Sequence, residues 1–223
     1  MALAIFDLDN TLLCGDSDYL WGQYLVEKGV VDADSYENAN QRFYDEYKRG
    51  ELDIHEFLQF SLTPLSEHDM TTLDNWHREF MQQKILPLIT EASRKLVAGH
   101  AQRGDTLLII TATNQFVTAP IATELGIDNL LATMPEQRNG RYTGQVEGTP
   151  CFQGGKVERL QTWLAQHGHN MENSWFYSDS HNDLPLLLEV THPVAVDPDD
   201  SLRETATQKG WPVISLHDDQ PSS

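Results

Sequence analysis

Leu3-Ala4-Ile5-Phe6-Asp7-Leu8-Asp9-Asn10-Thr11 decides how the rest of the chain is read. Four apolar residues in a row make a strand buried on both faces, as in a parallel sheet, and two carboxylates follow at its carboxyl end. Similar apolar runs bounded by polar turns recur at 106–110, 174–177, 193–196 and 213–216. Between them, the amphipathic stretches 90–102, 115–125 and 156–167 are each long enough for a crossover helix. Strand alternating with helix predicts an α/β fold, a doubly wound parallel sheet.

Residues 15–84 break that rhythm. Tyr19, Leu20 and Tyr24, then Phe43 and Tyr47, then Phe57, Leu58 and Phe60 follow helical spacing with no strand-like run among them. We expect a helical insertion here, giving one domain from 1–14 and 85–223 and a second from 15–84. Asn139-Gly140, within Arg138 to Gly144, signals a tight turn between two short strands. No repeat is present, and the polar tail 217–223 is expected to be frayed.

The chain has 223 residues, enough for a proper core with an insertion, and needs no covalent staples. Its two cysteines, Cys14 and Cys151, make neither a disulfide framework nor a zinc site, which fits a reducing compartment. The opening apolar run meets Asp7 without a basic region before it and reads as no signal peptide, and no run is as long as a membrane span. We therefore expect a soluble, cytoplasmic protein. With 15 basic and 34 acidic residues, the formal charge of −19 argues against nucleic acid as a partner. It also repels free phosphorylated molecules, but only over a Debye length of about 8 Å at physiological salt. A local cation or metal can overcome it at short range.

In open parallel sheets, ligands lie beyond the carboxyl ends of the strands, so the polar residues there are the candidates. They are Asp7 and Asp9; then Thr111, Thr113 and Asn114, with Ala112 between them as a further phosphate-binding position; then Lys156, preceded by Gly154-Gly155 and opening a helix; then Ser178-Asp179-Ser180-His181-Asn182-Asp183. Each alone has an ordinary explanation as a cap, a loop carboxylate or a solvated lysine. Their joint occurrence, each at a strand end or helix start, is harder to explain that way. Carboxylates gathered in one place need a cation, and a hard divalent ion such as Mg²⁺ suits oxygen ligands. Phosphoryl transfer needs an in-line nucleophile, positive charge on the equatorial oxygens and a proton for the leaving alkoxide. Asp7 can serve as covalent nucleophile, Asp9 as acid and then base, and Thr111 and Lys156 as holders of the phosphoryl oxygens.

These segments resemble, in order, the motifs of the haloacid dehalogenase superfamily: Asp7-Leu8-Asp9-Asn10-Thr11, Ile110-Thr111, Lys156 and Asp179 with Asp183. The helical insertion resembles that family's type-one cap, and 139–144 with Gly154-Gly155-Lys156 resembles its phosphoserine-phosphatase-like members. The resemblance implies a Rossmann-like core and Mg²⁺ held by Asp7, Asp179 and the main-chain carbonyl of Asp9. Asn182 and Asp183 would support those ligands, and Asp183 would also position Lys156. Asp9 resembles the residue that separates the family's phosphatases from its dehalogenases. Ser178 departs from a usual Gly, and Ala112-Thr113 departs from the two glycines of phosphoserine phosphatases.

Asp16 stands near the place where phosphoserine phosphatases set an acidic residue against the substrate's ammonium group. Together with Phe43-Tyr44, the stretch from Gly15 to Trp21 is similar to family members that act as histidinol-phosphatases. That resemblance implies a small phosphorylated metabolite as partner, histidinol phosphate first. Phosphoserine and a broader metabolite range are the alternatives. Within the same fold, a phosphotransferase or a silent phospholigand-binding protein is the other outcome. Monomer and homodimer are both open.

Overall fold

The computed structural model describes residues 2–217. A seven-stranded sheet runs in the order β4-β3-β2-β1-β5-β6-β7, parallel except for β4, which pairs antiparallel with β3. The strands are β1 (Leu3–Phe6), β2 (Thr106–Asn114), β3 (Asn129–Arg138), β4 (Arg141–Glu147), β5 (Trp175–Ser178), β6 (His192–Val196) and β7 (Val213–Ile214). Helices α5 (Glu91–Gln102), α6 (Gln115–Glu124), α7 (Gly154–His167), α8 (Leu184–Leu187) and α9 (Asp200–Lys209) connect them. Four more, α1 (Ser17–Glu27), α2 (Ala33–Arg49), α3 (Ile54–Glu67) and α4 (Met70–Phe80), form the expected helical insertion between β1 and β2.

Central β1 is buried along its whole length, which is why it reads as an unbroken apolar run. Its alternate residues feed two cores. Ala4 and Phe6 join Ile109, Val117, Trp21 and Leu62 on one side; Leu3 and Ile5 join Ile110, Leu160, Phe176 and Leu202 on the other. Each fully buried Leu, Ile or Phe in these layers contributes about 1.5–3 kcal/mol. The chain builds outward from β1 through β2 to β3 and β4, and then α7 carries it back to β5 on β1's other flank. The order therefore reverses at β1, which opens a crevice at the carboxyl ends of β1, β2 and β5.

The sheet departs from the sequence reading in two places. Strand β2 runs on to Asn114 instead of ending at 110, with a register shift against β3 between Ile110 and Asn114. Strand β3 was not foreseen as part of the parallel core: it pairs with β2 through Leu130 and Leu131 and then continues into the hairpin. The hairpin turn itself is as expected, with Asn139 and Gly140 both in the left-handed region at φ 52° and 72°.

The chain enters and leaves the helical insertion side by side, through the Leu13–Ile89 bridge and a 2.9 Å bond from Cys14 N–H to the Leu88 carbonyl. No described helix is long and apolar enough to cross a membrane. Of the tail expected to fray, only His217 is described. It is packed, with Nε2 3.1 Å from the Thr11 carbonyl.

Candidate active site

After β1 the chain turns tightly, with Asn10 in the left-handed region at φ 55° and its N–H bonded to the Gly15 carbonyl. Asparagine tolerates that region better than most residues. The turn puts Asp7, Asp9 and Thr11 at the head of the crevice.

Asp7 is buried, and its Oδ1 lies 2.9 Å from Nζ of Lys156. The same ammonium is 2.8 Å from Asp183 Oδ2 and 2.7 Å from its Oδ1. Lys156 reaches this point because α7 begins close against the loop before it: a Cβ on Gly155 would lie 2.1 Å from the Pro150 carbonyl oxygen. Burial works against the ammonium, but Asp183 and Asp7 outweigh it and hold Lys156 charged. Asp183 is fixed in turn by Ser178, whose hydroxyl donates to it at 2.7 Å. The Ser178 hydroxyl therefore has a structural partner.

Burial raises the Asp7 carboxyl to about 7, against the pull of Lys156. Asp179 is held well above the ordinary range by burial and by the charges of Asp7 and Asp183. Thr11 ties Asp179 to the first loop: its hydroxyl donates to Asp179 Oδ1 at 3.0 Å and accepts the Asp179 N–H at 3.0 Å. Asn182 donates through Nδ2 to the Tyr47 carbonyl at 3.0 Å and accepts from Gln153 at 3.0 Å. It thereby joins the end of α2 to the core.

Asp9 accepts the Ser17 N–H at 2.6 Å on Oδ1 and the Thr113 hydroxyl at 2.8 Å on Oδ2, with Thr111 Oγ1 at 3.5 Å from the same Oδ2. Burial and the nearby charge of Asp16 raise it to about 6. Thr111 and Thr113 are thus both turned toward Asp9. Ala112 faces away, its carbonyl accepting from Thr133 at 2.8 Å. Asn114 caps α6 through the Val117 N–H, with Nδ2 3.5 Å from Asp18. Asp16 caps α1, accepting from the N–H groups of Asp18 and Tyr19.

Asp16 and Asp18 also line a narrow cavity with Tyr19, Phe43, Tyr44 and Tyr47. Burial raises both carboxyls, Asp18 well above its ordinary range with help from Asp16 and Asp9. A wider opening of about 810 Å³ leads outward from Asn10 and Asp179 past Tyr47 and Lys48 to Asp199. A groove of about 1060 Å³ between α4, α6 and the hairpin touches none of these residues.

The structure thus gathers Asp7, Lys156 and Asp183, Asp9 with Thr111, and Asp179 with Thr11 at the carboxyl ends of β1, β2 and β5. Asn114 and Asp16 double as helix caps. Nothing in the sequence singled out the roles of Thr11 and Ser17, because both depend on how the first loop turns.

Among the described residues, no group of three or more His, Cys, Asp or Glu side chains is placed to hold a metal. Two carboxylates with a main-chain carbonyl are nonetheless a fitting set for Mg²⁺, which keeps several waters and takes only one or two protein carboxylates. The raised carboxyls of Asp7 and Asp179, each pushed up by burial, are what a bound cation would relieve.

This fold with this constellation of carboxylates and a buried lysine defines a class. The chain belongs to the haloacid dehalogenase-like hydrolase family, whose model matches residues 4–188. Within that family it is a phosphatase. It is 48% identical over 218 residues to a histidinol-phosphatase of Neisseria meningitidis serogroup C, covering 96% of this chain and 98% of that protein. It is 30% identical to the phosphoserine phosphatase SerB1 of Mycobacterium tuberculosis, over 95% of this chain and 70% of that one. Among solved structures, a protein of unknown function from Bordetella pertussis Tohama I matches with TM-score 0.91 and 46% identity, over 96% of this chain and 98% of that one. A substrate-bound phosphoserine phosphatase complex shares the fold, with TM-score 0.71 and 18% identity, over 96% of this chain and 92% of that one.

Proposed function

We propose that this phosphatase hydrolyses histidinol phosphate, with Mg²⁺ as cofactor and Asp7 as the nucleophile. The Lys156 ammonium held between Asp7 and Asp183 carries the chemical assignment, because it fixes one oxygen of Asp7 and leaves the other for attack. Asp7 displaces the alcohol from phosphorus, forming an aspartyl-phosphate as the phosphorus–oxygen ester bond breaks. Asp9 gives its proton to the departing alkoxide, then takes one from the water that releases orthophosphate. Lys156 and the Thr111 hydroxyl steady the phosphoryl oxygens, with the main chain at Ala112 and Thr113 beside them. Mg²⁺, held by Asp7, Asp179 and the Asp9 carbonyl, would neutralise charge on the phosphoryl group. Asn182 and Asp183 support the site.

Residues 15–84 are read as a cap that closes over the substrate, since Asn182 binds the Tyr47 carbonyl and Ser17 N–H meets Asp9. The cavity beside Asp9 presents two carboxylates and aromatic rings, a setting for an organic cation such as the amine and imidazole of histidinol. A phosphoamino acid would also need an arginine for its carboxylate. Arg42 pairs with Glu56 and Glu46, and Arg49 pairs with Glu51. This arrangement and the 48% identical relative favour the amino alcohol over phosphoserine. Cys14 and Cys151 are free, which suits a cytoplasmic enzyme.

Phosphate release from histidinol phosphate, phosphoserine and p-nitrophenyl phosphate, with and without Mg²⁺ and beside an Asp7→Asn control, tests the reading. Histidinol phosphate should give the highest kcat/KM. Equal turnover of all three overturns the substrate assignment, and turnover that survives Asp7→Asn overturns the mechanism. Asp16→Asn should cost histidinol phosphate about 10-fold or more in kcat/KM and leave p-nitrophenyl phosphate nearly unchanged.

A further inference from the structure

Thr113 is buried near the far end of β2, within the stretch where the register against β3 shifts between Ile110 and Asn114. Thr111 and Thr113 are two residues apart and share a strand face, so both hydroxyls address Asp9. Bulges beside active sites commonly re-aim side chains in this way. Of the two hydroxyls, that of Thr113 makes the shorter contact, 2.8 Å against 3.5 Å.

The two oxygens of Asp9 are not equivalent. Oδ1 accepts the Ser17 N–H at 2.6 Å, and an amide N–H only donates, so that oxygen stays an acceptor. Oδ2 is the oxygen that Thr113 holds at 2.8 Å, through a hydroxyl, which unlike an amide N–H can both donate and accept. A hydroxyl can serve both states of this oxygen, donating to it as carboxylate and still donating to its second lone pair when it is protonated. Without the Thr113 hydroxyl, Oδ2 keeps only the longer approach of Thr111 Oγ1 at 3.5 Å, and Ser17 holds the other oxygen.

We propose that Thr113 is the positioning residue that holds Oδ2 of Asp9 in the direction of the leaving group. This rests on the acid role of Asp9 proposed above. In that step the Oδ2–H bond breaks, the proton joins the leaving oxygen, and the electron pair stays on Asp9. The activating water later returns a proton to the same oxygen.

The test compares phenyl phosphate with p-nitrophenyl phosphate, two esters of similar shape whose leaving groups differ in their need for a proton. Initial rates with Mg²⁺ would be measured for wild type, Thr113→Val, Thr113→Ala, Thr113→Ser and Asp9→Asn. Thr113→Val and Thr113→Ala should each lose about 10–100-fold in kcat/KM on phenyl phosphate, and no more than about 3-fold on p-nitrophenyl phosphate. Thr113→Ser should restore both substrates to within about 3-fold of wild type. Equal losses on the two esters, or no loss on either, overturn the role of Thr113 when Asp9→Asn still discriminates between them. If Asp9→Asn shows no leaving-group dependence, the acid assignment of Asp9 fails and the positioning role falls with it. Thr113→Ala guards against a folding defect peculiar to valine.

Discussion

Replacing Lys156 by methionine removes the one ammonium among the buried carboxylates Asp7 and Asp183. At 2.9 Å and an effective dielectric near 20, the Asp7 contact is worth about 6 kcal/mol in gross Coulomb terms, before desolvation is subtracted. Removing one partner of such a buried pair leaves an uncompensated charge and costs about 3–5 kcal/mol. For a chain of this size that is a fall in Tm of about 6–20 °C. The loss depends on pH. Asp7 has a folded-state pKa of about 7, raised from 3.8, and without the ammonium it moves higher, so protonation on the acid side removes the unpaired charge. The Tm deficit should therefore be full near pH 8 and less than about half as large near pH 5. Differential scanning fluorimetry of wild type and Lys156→Met at both pH values reads this directly. Turnover of p-nitrophenyl phosphate should fall by at least about 100-fold. A Tm within about 2 °C of wild type near pH 8, or an equal deficit at both pH values, would refute the view of Asp7, Lys156 and Asp183 as one charge-compensated unit.

Two further outcomes follow from the same geometry. Because the folded-state pKa of Asp7 is raised, its contribution favours the fold below its unfolded value of 3.8 and is lost as pH rises through about 7. Mg²⁺ should restore that loss, so the metal-induced rise in Tm should be larger near pH 8 than near pH 5, and an equal rise at both would count against Asp7 as a ligand. At the start of α7, Gly155→Ala would press a Cβ against the Pro150 carbonyl oxygen at 2.1 Å and should cost about 1–3 kcal/mol, with lower activity as Lys156 shifts. Gly154→Ala meets nothing within 4 Å and should change Tm by little, so urea melts in which the two variants match would refute the packing argument.

Legibility in the sequence followed burial. Strands β1 and β5 were readable because a central parallel strand has two buried faces and must be apolar throughout. The Asn139-Gly140 turn was readable because two consecutive positive φ angles favour that pair. The half of β3 that pairs with β2 escaped notice because its apolar stretch is short, Leu130 to Ala132, and Pro135 and Gln137 soon follow. Thr113 was readable only as one of the candidates after β2, and its hydroxyl lies on Asp9. That contact joins residues 104 positions apart, which local patterning does not encode.

By itself the sequence determined the class of chemistry. Carboxylates at the end of one buried strand, a lysine at a helix start and two more carboxylates after another strand are local features, and each follows from which side chains a strand end or helix start can present. Only the tertiary structure decided how they act on one another. The turn at Asn10 and the close packing of Gly155 bring residues 149 positions apart to 2.9 Å, between Lys156 and Asp7. Whether a carboxylate is paired, raised or aimed depends on distances of a few ångströms in a site of low dielectric, and those distances are set when the sheet and the helical insertion pack together.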